Sequence, residues 1–494
     1  MRRSAPSSGC SLSAQEELCA AKDSNQATAD DFPDVTLHKP PHKRSRSGTI
    51  HLVRASEDEQ REEELKPSHL FWRSASQEEP VRLWLPRQGS SLKVDEHLAR
   101  IPRVVSRAEQ LLQEEQDEEE ASAASTPRAG NLPALLHDTP HRCLNVLQGE
   151  VAHVSADQAD IVVSAEATTC HVIALRSTCN TGDSPPFCSL AHMDRAYSDC
   201  VEGMIQEHLA HHGEFHRKRS DNSQEGFFME DDELAVSPPS SHHRKPSFLP
   251  DLRLEEEESV TKEETVPSII EMELHIVGGY LDSNGLSQKL SNQIIARFDE
   301  LALKYEDRVR MYLSTAAISS LNNCNQNNKP KSRGLGIVTK TGQVFSLKSS
   351  LPARLQGPAL SIRSARSFAT CQSEPTLAVI HDRTCQQGEI RIRPFGYRQR
   401  QDLNVLLQVP DEVLLSVAST SPEHESDEFC TKFRRTLSFV NTVPPESVFG
   451  EAHDRPLVYV RSAGDLNAWE PHNDDDMALA SSRGDLTGFW MDGP

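Results

Sequence analysis

The segment SAEATTCHVIALRSTCNTGDSPPFCSLAHMD (164–194) gathers a thiol, an imidazole and a hydroxyl in one short stretch, as Cys170, His192 and Ser164. A cysteine attacks carbon as the thiolate, and near neutral pH it needs a base close by to reach that form. An imidazole serves as that base when a third group holds its other nitrogen and fixes its tautomer and direction. Cys170 is therefore the candidate nucleophile, His192 the candidate base and Ser164 the candidate orienter. By type alone, a cysteine and a histidine close in sequence are more often core or surface residues than a catalytic pair.

The same region holds Cys179, Cys188 and Cys200, and HLAHHGEFH (208–216) adds four histidines. No C-x-x-C pair or knuckle spacing is present, so we expect no structural metal. His208, His211 and His212 fall near helical spacing and are expected on a solvated face. No cofactor is expected.

These residues need elements to position them. Short apolar runs bounded by turn residues predict strands at CLNVL, IVVS, HVIALR, ELHIVGG, VRMYL, LGIVT, VFSL, LAVIH, EIRIR and PLVYV. Leu286, Leu290, Ile294, Phe298 and Leu301 recur at helical spacing behind the capping sequence DSNG, and Phe429, Phe433, Leu437 and Val440 form a second stripe in 425–440. Both stripes read as core-facing. A further helical pattern spans 96–118, followed by an acidic linker to 139.

Outside this region the chain changes character. Residues 1–95 are rich in Ser, Glu, Arg and Pro with few apolar residues in register, too little to offset the entropy of ordering, so they read as a disordered arm. Within it HKPPHKRSRS (38–47) suits a nuclear import signal or a phosphorylated linker. The polar, charge-blocked stretch 217–266 reads as a disordered insertion in a domain spanning 140–475, and 476–494 as a loose tail.

Across 494 residues, 74 acidic against 52 basic side chains give a formal net charge of -22, a field that repels nucleic acid and anionic lipid. Neither is expected as a partner. No apolar stretch follows the first residues, and none later approaches a membrane span. The eleven cysteines are scattered, as free thiols are in a reducing compartment. An intracellular, cytoplasmic or nuclear, monomeric protein is the expectation.

ATTCHVIALR (167–176), CSLAHMD (188–194) and ELHIVGGYLDSNGLSQKLSNQIIARF (273–298) together resemble the protein N-terminal asparagine amidohydrolase family, in the same order. The resemblance continues through LGIVTKTGQVFSL, AVIHDRTCQQGEIRIRPF, the STSP at 419–422 and FRRTLSFV, and covers most of 145–465. The family is distantly similar to the chemoreceptor glutamine deamidases, whose triad is a Thr or Ser, a Cys six positions later and a downstream His.

The resemblance implies an α+β fold of two packed, mostly antiparallel sheets flanked by helices. It also implies deamidation of an N-terminal asparagine to aspartate, with Cys170 as nucleophile, His192 as base and Ser164 orienting it. The oxyanion would fall to backbone N–H groups around Thr169 and Cys170, or to the Thr168 and Thr169 hydroxyls. A free α-ammonium calls for a carboxylate, with Asp194 the first candidate and Glu166 the second. The partners implied are proteins or peptides beginning with Asn, and the product would enter an N-degron route to ubiquitin-dependent degradation. Two other readings use the same residues: a deamidase of internal Gln or Asn, and a non-catalytic interaction protein on this fold.

Overall fold

In a computed structural model of the chain, residues 65–73, 80–86, 93–113, 142–225, 269–322, 333–368 and 376–472 are described, apart from 112, 183, 283, 348–350, 352, 427, 453 and 463–467. The strands in chain order are β1 (Leu65–Trp72), β2 (Val81–Pro86), β3 (Cys143–Asn145), β4 (Glu150–Ser155), β5 (Ile161–Ala167), β6 (His171–Cys179), β7 (Phe187–Met193) and β8 (Ile270–Gly278). They continue with β9 (Val309–Ile318), β10 (Arg333–Val338), β11 (Val344–Leu347), β12 (Ala378–His381), β13 (Glu389–Ile392), β14 (Leu457–Arg461) and β15 (Trp469–Pro471). The longer helices are α1 (Ser198–Glu225), α2 (Leu286–Lys304), α3 (Asp411–Ala418) and α4 (Phe429–Thr442).

Each apolar run predicted as a strand carries one. Eight strands form a large sheet in the order β12-β4-β7-β6-β8-β9-β1-β2, four form a second, β11-β10-β5-β3, and three a small third, β13-β14-β15. Eight of the twelve described pairings are antiparallel. The α+β architecture of mostly antiparallel sheets with helices outside is thus as expected, with a third sheet added.

Side chains alternate across a strand, and β6 shows what that alternation builds. Val172 and Ala174 point into one core, shared with Val162 of β5, Leu335 of β10 and Ile390 of β13. Ile173 and Leu175 point into the other, shared with Met204 and Ile205 of α1 and Ile294 and Phe298 of α2. One face of the large sheet therefore meets the smaller sheets and the opposite face meets α1 and α2. Each fully buried aliphatic side chain in these layers contributes roughly 1.5–3 kcal/mol.

Helix α2 starts where DSNG predicts, because the Leu286 and Ser287 backbone N–H groups donate to the Asp282 carboxylate, both at 2.9 Å. Leu290, Ile294, Phe298 and Leu301 are buried, while Leu286, in the first turn, is 53% exposed. The 96–118 pattern falls on Val94–Leu98 and helical residues within 102–113, with Leu98, Val104 and Leu111 buried.

Three expectations are corrected. Within the supposed arm of 1–95, β1 and β2 extend the edge of the large sheet, because buried Ser68 and the backbone of His69 donate to Asp299 of α2 at 2.6 and 2.7 Å. His208, His211 and His212 are buried, not solvated. They lie against the sheet, where His208 bonds Ser189 and Ser177, His212 bonds Ser177 and Ser184, and His211 stacks on Phe187. Helix α1 runs on to Glu225, through the first residues assigned to the insertion. The basic run at 38–47, the remainder of the insertion and the 476–494 tail lie outside the described residues.

Candidate active site

Alternation along β7 sends Cys188 and Leu190 into the core between the sheets, and His192 shares their parity. On β5 Val162 points into that core from the opposite sheet, and Ser164 follows it at the same parity. The two polar side chains meet: Ser164 Oγ lies 2.9 Å from His192 Nδ1, with both residues buried. His192 Nε2 is buried and has no hydrogen-bond partner. Cys170 sits one residue ahead of β6, whose Val172 is directly across from His192. The turn 168–170 thus places Cys170 two residues ahead of the position paired with His192.

Close backbone packing fixes that turn. The Gly279 N–H donates to the Cys170 carbonyl at 2.8 Å, and Ser287 Oγ donates to the Thr169 carbonyl at 3.2 Å. Gly278 has φ of +102°, and a Cβ there would stand 2.5 Å from the Cys170 oxygen, so only glycine suits it. On the other side β5 bulges, with Ser164 opposite Leu335 and Ala167 opposite Arg333. Glu166, inside the bulge, has φ of +64°, a left-handed conformation rare for a residue with a side chain. The bulge lets β5 turn toward the thiol while Ser164 keeps its inward aim.

Burial dominates the electrostatics. It holds His192 down to about 4, against smaller upward contributions from Asp194 and Glu150, so the imidazole is neutral at rest. Burial raises the Cys170 thiol far above its ordinary range, reinforced by the charge of Asp194 and then Glu425, and opposed by the Thr169 hydroxyl and Arg195. At rest Cys170 is therefore a thiol and His192 a neutral imidazole. His171, next to Cys170, is likewise kept neutral, mainly by burial, with its Nε2 2.7 Å from Ser291 Oγ.

The other residues singled out from the sequence surround this centre. Thr168 is buried, and the Thr169 hydroxyl lies 3.1 Å from that of Thr420. Asp194 accepts from Tyr197 Oη at 2.6 Å and from Gln148 at 3.3 Å, and pairs with Arg195 at 3.3 Å. Glu166 pairs with Lys432 at 2.7 Å and accepts from Ser426 at 3.4 Å. Sequence reasoning passed over Tyr197 and Glu425. Tyr197 stands three residues past Asp194 and had a local signal; Glu425 arrives from α4's approach and had none. Among the described residues no group of three or more His, Cys, Asp or Glu side chains could hold a metal ion, and no helix is long and apolar enough to cross a membrane.

A thiol, an imidazole and a hydroxyl enclosed between two sheets of an α+β fold form the equipment of an amide hydrolase, able to attack a carbonyl carbon and carry protons at neighbouring atoms. A family model described as protein N-terminal asparagine amidohydrolase matches residues 135–236 and 256–471, well over half of the chain. The chain belongs to this family and is a hydrolase of amide bonds. The matched stretches contain every strand from β3 to β15, while β1 and β2 precede them. Among relatives of that name, the Sus scrofa protein is 26% identical over 331 residues, covering 66% of this chain and 83% of its own. The Mus musculus protein is 31% identical over 202 residues, 40% of this chain and 59% of its own. The Homo sapiens protein is 26% identical over 335 residues, 67% and 84% respectively.

Proposed function

We propose that the protein hydrolyses the side-chain amide of an N-terminal asparagine in other proteins or peptides, with Cys170 as nucleophile. The observation that carries this reading is the 2.9 Å contact between Ser164 Oγ and His192 Nδ1, which leaves the buried Nε2 unpartnered beside the Cys170 turn. With its Nδ1 proton donated to Ser164, His192 offers the Nε2 lone pair to the thiol.

The thiol proton passes to Nε2 as sulfur attacks the asparagine Cγ. The tetrahedral oxyanion is met by backbone N–H groups at Thr169 and Cys170, with the Thr168 and Thr169 hydroxyls beside them. Collapse breaks the C–N bond, and His192 returns its proton to the departing ammonia. A water, deprotonated by His192, then attacks the thioester, the C–S bond breaks, and sulfur regains a proton. Aspartate and ammonia are the products. The new N-terminal aspartate is a substrate for arginylation and so enters an N-degron route to ubiquitin-dependent degradation. That places the enzyme with cytoplasmic or nuclear substrates.

The test is ammonia release from a peptide beginning with Asn, beside N-acetylated, Gln-initiated and internal-Asn versions and a Cys170→Ala variant. Release from the free Asn peptide alone, lost in the variant, supports the reading. Release from blocked or internal amides replaces it with a general protein deamidase. No release from any peptide moves the assignment to a non-catalytic interaction protein on the same fold.

A further inference from the structure

An enzyme that acts only at a chain terminus must recognise the α-ammonium. In asparagine only Cβ and Cα separate the side-chain carbonyl from that nitrogen, so its acceptor must stand beside the thiol. Three carboxylates lie near Cys170, and two are already neutralised. Asp194 is held by Arg195, Tyr197 and Gln148, and Glu166 is paired with Lys432 at 2.7 Å. Displacing either cation would cost the substrate much of what the new pair returns.

Glu425 is different. Among the described residues it accepts only from hydroxyls, Ser419 Oγ and Ser421 Oγ, and both reach the same oxygen, Oε1. Among the described residues its Oε2 has no hydrogen-bond partner and no cation is within ion-pair reach. A carboxylate accepts about four hydrogen bonds, so most of its capacity is unused. The serines fix the side chain by a turn of their own, since the Ser421 N–H donates to Ser419 Oγ at 2.9 Å.

The loop carrying Glu425 is tied over the Cys170 turn at three points. Thr420 meets Thr169, the residue before the nucleophile, at 3.1 Å. Ser426 donates to Glu166 in the β5 bulge at 3.4 Å. The His424 ring packs edge-on to Tyr280, which follows the glycine bonded to the Cys170 carbonyl, with centroids 5.7 Å apart. The negative charge of Glu425 is felt at both the Cys170 thiol and the Tyr280 hydroxyl, which places it at the same cleft.

We propose that Glu425 is the specificity-determining residue that binds the substrate's α-ammonium, replacing Asp194 and Glu166 in that role. This rests on the amidohydrolase reading of the Cys170 site. The unpartnered Oε2 receives the ammonium, and Ser419 and Ser421 hold Oε1 in place.

The experiment measures kcat/KM for a free Asn peptide and its N-acetyl version with wild type, Glu425→Gln, Glu166→Gln and Asp194→Asn. In parallel, calorimetry measures binding of both peptides to Cys170→Ala and to Cys170→Ala combined with Glu425→Gln. Iodoacetamide labelling of Cys170 and thermal unfolding report whether each variant keeps its site. Glu425→Gln is expected to lower kcat/KM for the free peptide about 100-fold, mainly through KM, and to weaken its binding similarly, the scale for truncating one partner of a buried charge pair. The N-acetyl peptide should change less than about 2-fold in both assays, so discrimination between the two collapses. The proposal is overturned if Glu425→Gln keeps the wild-type discrimination while Glu166→Gln or Asp194→Asn loses it. A wild type that deamidates free and acetylated peptides equally would instead overturn the terminal-asparagine reading itself. Failure of Cys170→Ala to bind any Asn peptide, with an inactive wild type, would remove both.

Discussion

Ser164 Oγ stands 2.9 Å from His192 Nδ1, and the two residues come from different sheets, β5 of the second and β7 of the first. The contact spans the interior, so the His192 imidazole is oriented by the packing of two sheets and not by its own strand. Ser164→Ala removes the group that fixes the imidazole while leaving the fold nearly filled. We expect kcat to fall about 100-fold, within the usual range for acid-base groups, with little change in thermal unfolding. Ser164→Thr restores the hydroxyl and should recover most of the rate, which a purely structural role would not require.

The burial that neutralises His192 also keeps Cys170 protonated, which makes a prediction about its reactivity. A thiol raised by desolvation has little thiolate at neutral pH. Alkylation of Cys170 by iodoacetamide in the resting enzyme should therefore be slow at pH 7 and still rising at pH 9. A plateau below pH 7 would reveal a preformed thiolate-imidazolium pair and contradict the neutral resting state.

Two glycines of positive φ, Gly149 just ahead of β4 and Gly278 at the end of β8, offer a test of the backbone around Cys170. Gly149 and Gly278 both have positive φ, but a Cβ on Gly149 meets nothing within 4 Å, whereas on Gly278 it would stand 2.5 Å from the Cys170 carbonyl oxygen. Gly149→Ala should cost about 1 kcal/mol from conformation alone. Gly278→Ala should cost several times that, on the order of 3 kcal/mol, because backbone must move. Thermal unfolding gives the difference, and activity should fall only in Gly278→Ala. Equal effects would mean the turn tolerates displacement.

Much of this architecture was legible along the chain because alternation and helical spacing are local signals. HVIALR on β6 and the stripe of α2 announce themselves, as does the capping Asp282. The strand that carries His192 did not: FCSLAHM reads as mixed because Ser189 and His192 are polar yet buried, each bonded to a residue from another element. The same reason hid β1, where Ser68 is bonded to Asp299, 231 positions away. The spacing of His208, His211 and His212 correctly implied a helix but not its buried face, since the serines that accept them sit on β6, on β7 and just ahead of β7. Glu425 has no local signature at all. Its position depends on the loop before α4 folding back over a turn some 250 residues earlier.

Those histidines make the last prediction. His153 Nδ1 is 2.7 Å from Ser189 Oγ, which is 3.0 Å from His208 Nε2; His208 Nδ1 is 2.6 Å from Ser177 Oγ, which is 2.8 Å from His212 Nε2. Each serine in this buried row can accept from one ring and donate to the next, so the row closes with every imidazole neutral. Burial holds His153 down to about 4 and His208 well below its ordinary 6.5, with Arg383 and Arg393 opposing a further positive charge at His153 and Asp382 favouring it. His171, His192 and His275 are also held low, chiefly by burial. A folded-state value below the unfolded one means the unfolded chain takes up the proton first. Stability is therefore fully present above pH 6.5 and is lost as pH falls from 6.5 toward 4, by about 1.4 kcal/mol per pH unit for each histidine so held. His208→Gln removes one such group. Denaturant unfolding should find it less stable than wild type at pH 7, yet with a stability that declines less steeply on acidification by about one proton's worth. Parallel declines in the two proteins would show that His208 is not held neutral in the folded state.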